Sequence, residues 1–359
     1  MPDPEGPLSA SAGPRPPAGR AALSVGIVGC GLIGHKRAQA LGDHDVVIGA
    51  TDPVTERARE LVGAHGGTAC ADLDELLALS PDVVVVAATH DQLAPLAGRA
   101  LEGGAHVLVE KPAGLGSAQI EALIAASQRA GRRVKVGFNH RFHPGLTALA
   151  AEVHSGAHGE LMHVRGRYGH GGRLGYDREW RAQPERSGGG ELIDQGMHLL
   201  DLTHWLAGPL PLHSALLRTH FWDTPVEDNA ALLLGEAGTR TGPWAMLHVT
   251  WTEWKNMFSL EVYCTTAKLQ VDGLVRSYGA QRLRIYRMGP ELGPPELQER
   301  VYGAEDISWA AEWAHFARAL DTGERLVGDL TDARYAWEQV ERAYAMSPQY
   351  APMRAAVRV

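Results

Sequence analysis

The sequence predicts an α/β protein of two domains, the first a doubly wound parallel sheet and the second built on a mostly antiparallel one. Three observations predict it. Strand-sized apolar runs alternate with helical segments over residues 21–138, the pattern of a parallel sheet wound by helices. A Gly-x-Gly-x-x-Gly run, Gly29-Cys30-Gly31-Leu32-Ile33-Gly34, lies directly between the first strand and the first helix. From Leu161 the alternation gives way to strands in succession, which suggest an antiparallel sheet. A chain of 359 residues is too long for one ordinary core and suits two.

The elements follow in order. Residues 1–20, rich in Pro, Gly, Ala and Ser, lack the apolar stretch of a signal peptide and read as a disordered tail. Residues 23–28 read as a buried strand and 36–41 as helix. In the run between them, Gly29 permits a tight turn, Gly31 lets the backbone approach a pyrophosphate, and Gly34 lets helix and strand pack closely. The helix start, at Leu32 and Ile33, then offers unpaired N–H groups to phosphate. A second strand at 46–50 ends in Thr51-Asp52-Pro53. Asp52 lies 18 residues past Gly34 (52 − 34), close to the spacing of an acid that binds the adenosine ribose hydroxyls. An acid there repels a 2′-phosphate, which favours NAD(H) over NADP(H). The competing reading of Asp52 is a turn residue before Pro53.

Asp72 with Glu75 reads as a capping box opening a helix. Residues 83–88 form the next strand, followed by Thr89 and His90 and a helix over 92–103. Strand 107–109 runs into Glu110-Lys111-Pro112, helix 117–130 takes Ser117 as its cap, and strand 134–138 precedes Asn139. Ligands bind such sheets at the carboxyl ends of their strands. Thr89, His90, Glu110, Lys111 and Asn139 all fall there, the first four as candidates for cofactor binding and Asn139 as a candidate for substrate. Lys111 is placed to bind a substrate oxygen or to stabilise charge developing on it, against the commoner role of a solvated surface lysine. Asn139 and Arg141 sit either beside cofactor or substrate or in a linker.

Further on, Gly188-Gly189-Gly190 runs into Glu191-Leu192-Ile193-Asp194-Gln195-Gly196-Met197-His198. On an α-helix Asp194 and His198, at i and i+4, share a face, and an imidazole beside a carboxylate is a common proton-transfer arrangement. The plainer reading is a solvated Asp and a core His. Between Gly169 and Arg186 lies a loop with few apolar residues. Its Arg173, Tyr176, Trp180 and Arg181 suit polyol recognition or, on the plainer reading, form a surface loop with Trp180 tucked into the core. Residues 161–168 and 245–251 read as strands, 260–264 and 268–272 as a hairpin, and 309–320 and 330–346 as closing helices. One sheet face, carrying tryptophans such as Trp251, is expected to be covered by another subunit in a homodimer or homotetramer.

Composition narrows the function classes. The net charge of −8, with no block of like charges, argues against nucleic acid as a partner. No apolar run approaches the roughly 18 residues that span a membrane, so no membrane association is expected. Three scattered cysteines suit a reducing cytoplasm, and neither CxxC nor HExxH spacing occurs, so no metal is expected.

With Gly29–Gly34, Glu110-Lys111-Pro112 and Gly188–His198 in this order, the chain resembles the Gfo/Idh/MocA family over about residues 21–345. The tripeptide and the downstream Asp-x-Gly-x-His are specific only in combination. The resemblance implies a Rossmann domain, here residues 21–142, and a C-terminal α/β domain with an open sheet, here 143–359, serving substrate binding and oligomerisation. It implies bound NAD and hydride transfer at a carbinol carbon of a sugar, sugar derivative or cyclitol. It maps the catalytic lysine, aspartate and histidine to Lys111, Asp194 and His198. His198 would be the acid/base, Lys111 would hold the reacting oxygen, and Asp194 would orient His198 or the substrate hydroxyl. The chain departs from the family pattern at His90, which stands where proline is usual, and at Ala94, where histidine is usual. Two alternatives remain. Tightly held NAD could cycle internally in epimerisation or glycoside cleavage, or the chain could be an NAD-dependent regulator.

Overall fold

The computed structural model describes residues 20–350 except Leu292, so nearly all of the expected tail lies outside the described residues. The first sheet has six parallel strands: β1 (Ser24–Val28), β2 (Val46–Thr51), β3 (Thr68–Ala69), β4 (Val83–Val86), β5 (His106–Val109) and β6 (Val134–Val136). Their order is β3-β2-β1-β4-β5-β6. Helices α1 (Leu32–Gln39), α2 (Thr55–His65), α3 (Leu73–Ala78), α4 (His90–Glu102) and α5 (Ser117–Ala130) connect them. All four valines of β4 are fully buried, because helices cover both faces of a sheet of this kind. Each such side chain contributes about 1.5–3 kcal/mol on burial.

After α6 (Pro144–His154) comes the second sheet. It contains β7 (Leu161–Gly169), β8 (Leu212–Arg218), β9 (Asn229–Leu234), β10 (Trp244–Thr250), β11 (Met257–Cys264), β12 (Ala267–Asp272), β13 (Arg282–Arg287) and β14 (Glu296–Val301). The order is β14-β13-β12-β11-β7-β10-β9-β8. Only the β7–β10 pair is parallel, in keeping with the mostly antiparallel expectation. The short α7 (Pro184–Ser187) and then α8 (Met197–Ala207) lie between β7 and β8, and α9 (Ser308–Thr322) and α10 (Leu330–Ala345) close the chain. Helix α9 returns to the first sheet, where Trp313, Phe316 and Ala319 join Val25, Ile27 and Val85 in one core cluster.

Two local expectations are corrected. Ser117 is the first residue of α5 rather than its cap, and its hydroxyl donates to the Glu341 carboxylate at 2.8 Å. Trp251 does not lie on an open face. It is 1% exposed and meets Tyr176 edge-on at 4.9 Å within the same chain. The apolar side chains that do stand exposed on strands β8, β9 and β10 are Leu216, Leu233, Trp244 and Met246. The glycines at 188–190 stand in close contact with the protein itself. A Cβ on Gly190 would lie 2.0 Å from the Glu227 carbonyl oxygen, and one on Gly189 would meet the Tyr344 hydroxyl. Gly189 and Gly190 let the chain press against Tyr344 and Glu227 inside the second domain, and Gly188 faces Leu115, Ile193 and Trp337.

Candidate active site

The glycine turn leaves β1 as its sequence requires. Gly29 adopts φ 89°, and a Cβ there would lie 2.4 Å from the Ala87 carbonyl oxygen. Gly31, by contrast, faces open space, and α1 begins without a side-chain cap. The N–H groups of its first turn are therefore available to an anion. Asp52 is buried at the end of β2, where its two oxygens accept from Cys30 N and Val54 N, each at 2.8 Å. Each oxygen keeps a second lone pair for a ribose hydroxyl. These residues fit a dinucleotide: an open N-terminal turn for the diphosphate and a fixed carboxylate for the ribose.

A cavity of about 300 Å³ opens beside this turn, between the carboxyl ends of the first sheet and the second domain. Ile33, His90, Glu110, Lys111, Asn139, Trp180, Arg181, Asp194 and His198 all line it. Thr89 does not. Its hydroxyl donates to Asp91 at 2.6 Å at the start of α4. Tyr176 is buried behind the wall, its hydroxyl 3.3 Å from Asp194 Oδ2. Arg173 is 69% exposed and pairs with Glu179 at 2.7 Å, so its guanidinium does not line the cavity. Of the loop residues expected to meet substrate, Trp180 and Arg181 reach the cavity.

Lys111 leaves β5 through a cis Lys111-Pro112 peptide. The fully buried Trp337 of α10 donates its indole N–H to the Pro112 carbonyl at 2.8 Å, which pins that turn. The Lys111 ammonium then donates to Asp194 Oδ1 at 2.8 Å and to the Asp194 carbonyl at 2.5 Å. Arg181 Nε stands 3.4 Å from Asp194 Oδ2. Burial opposes ionisation of Asp194, but Lys111 and then Arg181 outweigh it and hold the carboxyl well below its usual range.

The expected Asp194–His198 partnership is corrected. Residues Leu192–Gly196 form a π-turn before α8 begins, so the α-helical phase that would stack i on i+4 is lost. The Asp194 carboxylate goes to Lys111, Arg181 and Tyr176. His198 instead stacks on His140, with ring centroids 3.7 Å apart and planes 20° apart. Its Nδ1 is buried without a hydrogen-bond partner among the described residues. Burial, then the Lys111 charge, hold its pKa well below 6.5, so the imidazole is neutral and fit to receive a proton. His90 is likewise neutral, pushed down to about 3 by burial and Lys111. It donates Nδ1–H to the Ser187 carbonyl at 2.9 Å and meets Trp180 edge-on at 4.7 Å.

Sequence reasoning missed the residues that hold this set in place. Glu227, fully buried, accepts from Gly190 N, Leu192 N and the Tyr344 hydroxyl, and so anchors the start of the Asp194 turn. Glu110 faces the cavity yet is held from below by Arg37 at 2.6 Å, which also binds Glu312 of α9 at 2.6 Å. Glu312 binds Lys135 at 2.7 Å. His140, held by Asn139 Oδ1 and the Tyr168 hydroxyl at 3.2 Å each, positions His198. His170, Glu191 and Asp194 bring possible metal-ligand atoms within 4.8 Å of one another. Lys111 and Arg181 already neutralise Asp194, and their charges oppose a divalent ion there.

Comparisons with known proteins agree with this layout. The model of the oxidoreductase family with an NAD-binding Rossmann fold matches residues 23–138, and that of the GFO/IDH/MocA C-terminal domain matches residues 146–270. The chain is 35% identical to inositol 2-dehydrogenase 4 of Saccharopolyspora erythraea over 196 residues, covering 52% of this chain and about half, 54%, of that protein. It is 28% identical to dTDP-3,4-didehydro-2,6-dideoxy-alpha-D-glucose 3-reductase of Streptomyces violaceoruber over 309 residues, 83% of this chain and 85% of that one. The solved structure of GenD2 from gentamicin A biosynthesis, in complex with NAD, superposes with a TM-score of 0.78 at 24% identity over 94% of this chain and 97% of that one. The first domain is thus an NAD-binding Rossmann domain. Lys111 lies in the stretch matched by the first family model, and Asp194 and His198 in that matched by the second. With both models matched in succession along one polypeptide, the chain belongs to the Gfo/Idh/MocA family of oxidoreductases.

Proposed function

We propose that this protein is an NAD(H)-dependent oxidoreductase that transfers a hydride to or from a carbinol carbon of a sugar, sugar derivative or cyclitol. The observation that carries the reading is the meeting of Lys111 with Asp194 and a neutral His198 around one cavity beside the glycine turn. Bound NAD supplies the nicotinamide carbon that accepts or returns the hydride. In the oxidation direction His198 takes the hydroxyl proton, since its ring is neutral and lines the cavity. Lys111, held on Asp194, stabilises the negative charge that grows on the substrate oxygen. Asp194 is committed to Lys111 and Arg181, so its role is to aim the ammonium rather than to move a proton. Trp180 and Arg181 supply an aromatic wall and a hydrogen-bonding fork for a polyol.

The test is a panel of free, phosphorylated and nucleotide-linked sugars and cyclitols, offered with NAD or NADP and read at the NADH absorbance band. At least one member should give net NADH, with NAD preferred over NADP because of Asp52. Product formed without net NADH would remove this reading in favour of an internal redox cycle. A clear NADP preference would contradict the role given to Asp52.

A further inference from the structure

The cavity extends beyond Lys111, Asp194 and His198. Its other end is walled by Ile33 and Lys36 of α1, by the segment at 274–278 between β12 and β13, and by Asp306 and Trp309 at the start of α9. Two cationic side chains face this end, Lys36 and Arg276. Among the described residues neither side chain forms a hydrogen bond or an ion pair. Lys36 is half-buried, with its ammonium 4.9 Å from the centre of the Trp309 ring, whereas Arg276 is exposed at the mouth of the cavity. Arg276 is near enough to act on it repulsively. Asp306 and, more weakly, Glu110 partly offset the Lys36 charge, but Asp306 accepts from the Ser308 hydroxyl at 2.6 Å and the Trp309 indole at 2.9 Å, and Glu110 is taken by Arg37 at 2.6 Å. Arg276 also holds a left-handed backbone, φ 54°, that a non-glycine residue rarely adopts, and such residues gather at ligand sites.

A half-buried cation in a cavity wall and a second at its mouth, neither in an ion pair, form a place for an anion. Cofactor phosphates already have the open first turn of α1, and Lys36 lies one turn further along that helix. A neutral polyol would make no use of either charge. We propose that Lys36 and Arg276, with Trp309 as a wall, form a phosphoryl subsite, so that the sugar or cyclitol acted on at His198 carries a phosphate or diphosphate ester. The proposal rests on the oxidoreductase reading for the identity of the reacting group, but not for the existence of the subsite.

The test uses the NAD-saturated protein and inorganic pyrophosphate as the probe, followed by calorimetry. Pyrophosphate should bind at one site. Lys36→Met and Arg276→Gln should each weaken it by about tenfold or more, as expected for loss of a charged hydrogen bond. The affinity for NAD should stay the same, which also reports that the variants fold. Absence of pyrophosphate binding, or unchanged binding in both variants, would overturn the proposal. So would a parallel loss of NAD affinity, which would assign the two cations to the cofactor's own diphosphate. In the substrate panel, phosphorylated or nucleotide-linked members should show the higher kcat/KM, and Lys36→Met should raise their KM. Preference for the free sugars would also overturn the proposal. If pyrophosphate binds as expected while every sugar is inert, the subsite stands and the oxidoreductase reading fails, so the two failures are distinguishable.

Discussion

Lys111→Met should lower turnover about 10²–10³-fold, the cost of removing one preorganised donor from a developing oxyanion, while NAD binds as before. The substitution keeps an unbranched apolar stem and removes the ammonium. Asp194 keeps Arg181 at 3.4 Å and the Tyr176 hydroxyl at 3.3 Å, so the turn is expected to hold. Steady-state rates together with quenching of intrinsic fluorescence by NAD separate the two effects. Near-normal turnover in this variant would remove Lys111 from the mechanism.

His198→Gln should cost about 10²–10⁴-fold in the oxidation direction, the usual contribution of a positioned general base, and should change the pH profile. His198 has its pKa well below 6.5, so the neutral base is already present at pH 7. The acid limb of kcat/KM in the parent enzyme should therefore fall below pH 6.5, with activity lost as pH drops through the lowered pKa. In the glutamine variant that limb should vanish, leaving a rate that climbs with hydroxide. An unchanged limb would assign the titration to another group and the proton transfer with it.

Much of the first domain was legible because its signals are local. A strand, three glycines and a helix are contiguous, and the four valines of β4 state their own burial. Lys111 was found from its place at a strand end and from the family tripeptide. The geometry around Asp194 was less accessible. Its spacing to His198 was visible, but the π-turn at Leu192–Gly196 that separates them accompanies contacts made from elsewhere, chiefly by Glu227. No periodicity near residue 194 reports a carboxylate at 227. The same holds for Arg37 and Glu312, which are 275 positions apart in sequence and join α9 to α1. Strand β14 went unread because its half-exposed faces carry Glu, Gln and Arg in place of a buried apolar alternation, whereas β13 does alternate, through the fully buried Leu283 and Ile285, but over only two apolar positions between arginines. Trp251 was assigned to an outer face on strand alternation alone, whereas the neighbouring loop folds over it through Tyr176.

The account depends on hydride passing at the carbinol carbon that Lys111 and His198 address. Its most direct test uses a panel member that is turned over, prepared with deuterium on that carbon, and follows the label by mass spectrometry and NMR during a single turnover with unlabelled NAD. The account predicts deuterium at C4 of the nicotinamide in NADH, a primary isotope effect on the hydride step, and no transfer in His198→Gln beyond its residual rate. Product that keeps its deuterium, or loses it to solvent without labelling NADH, would contradict it.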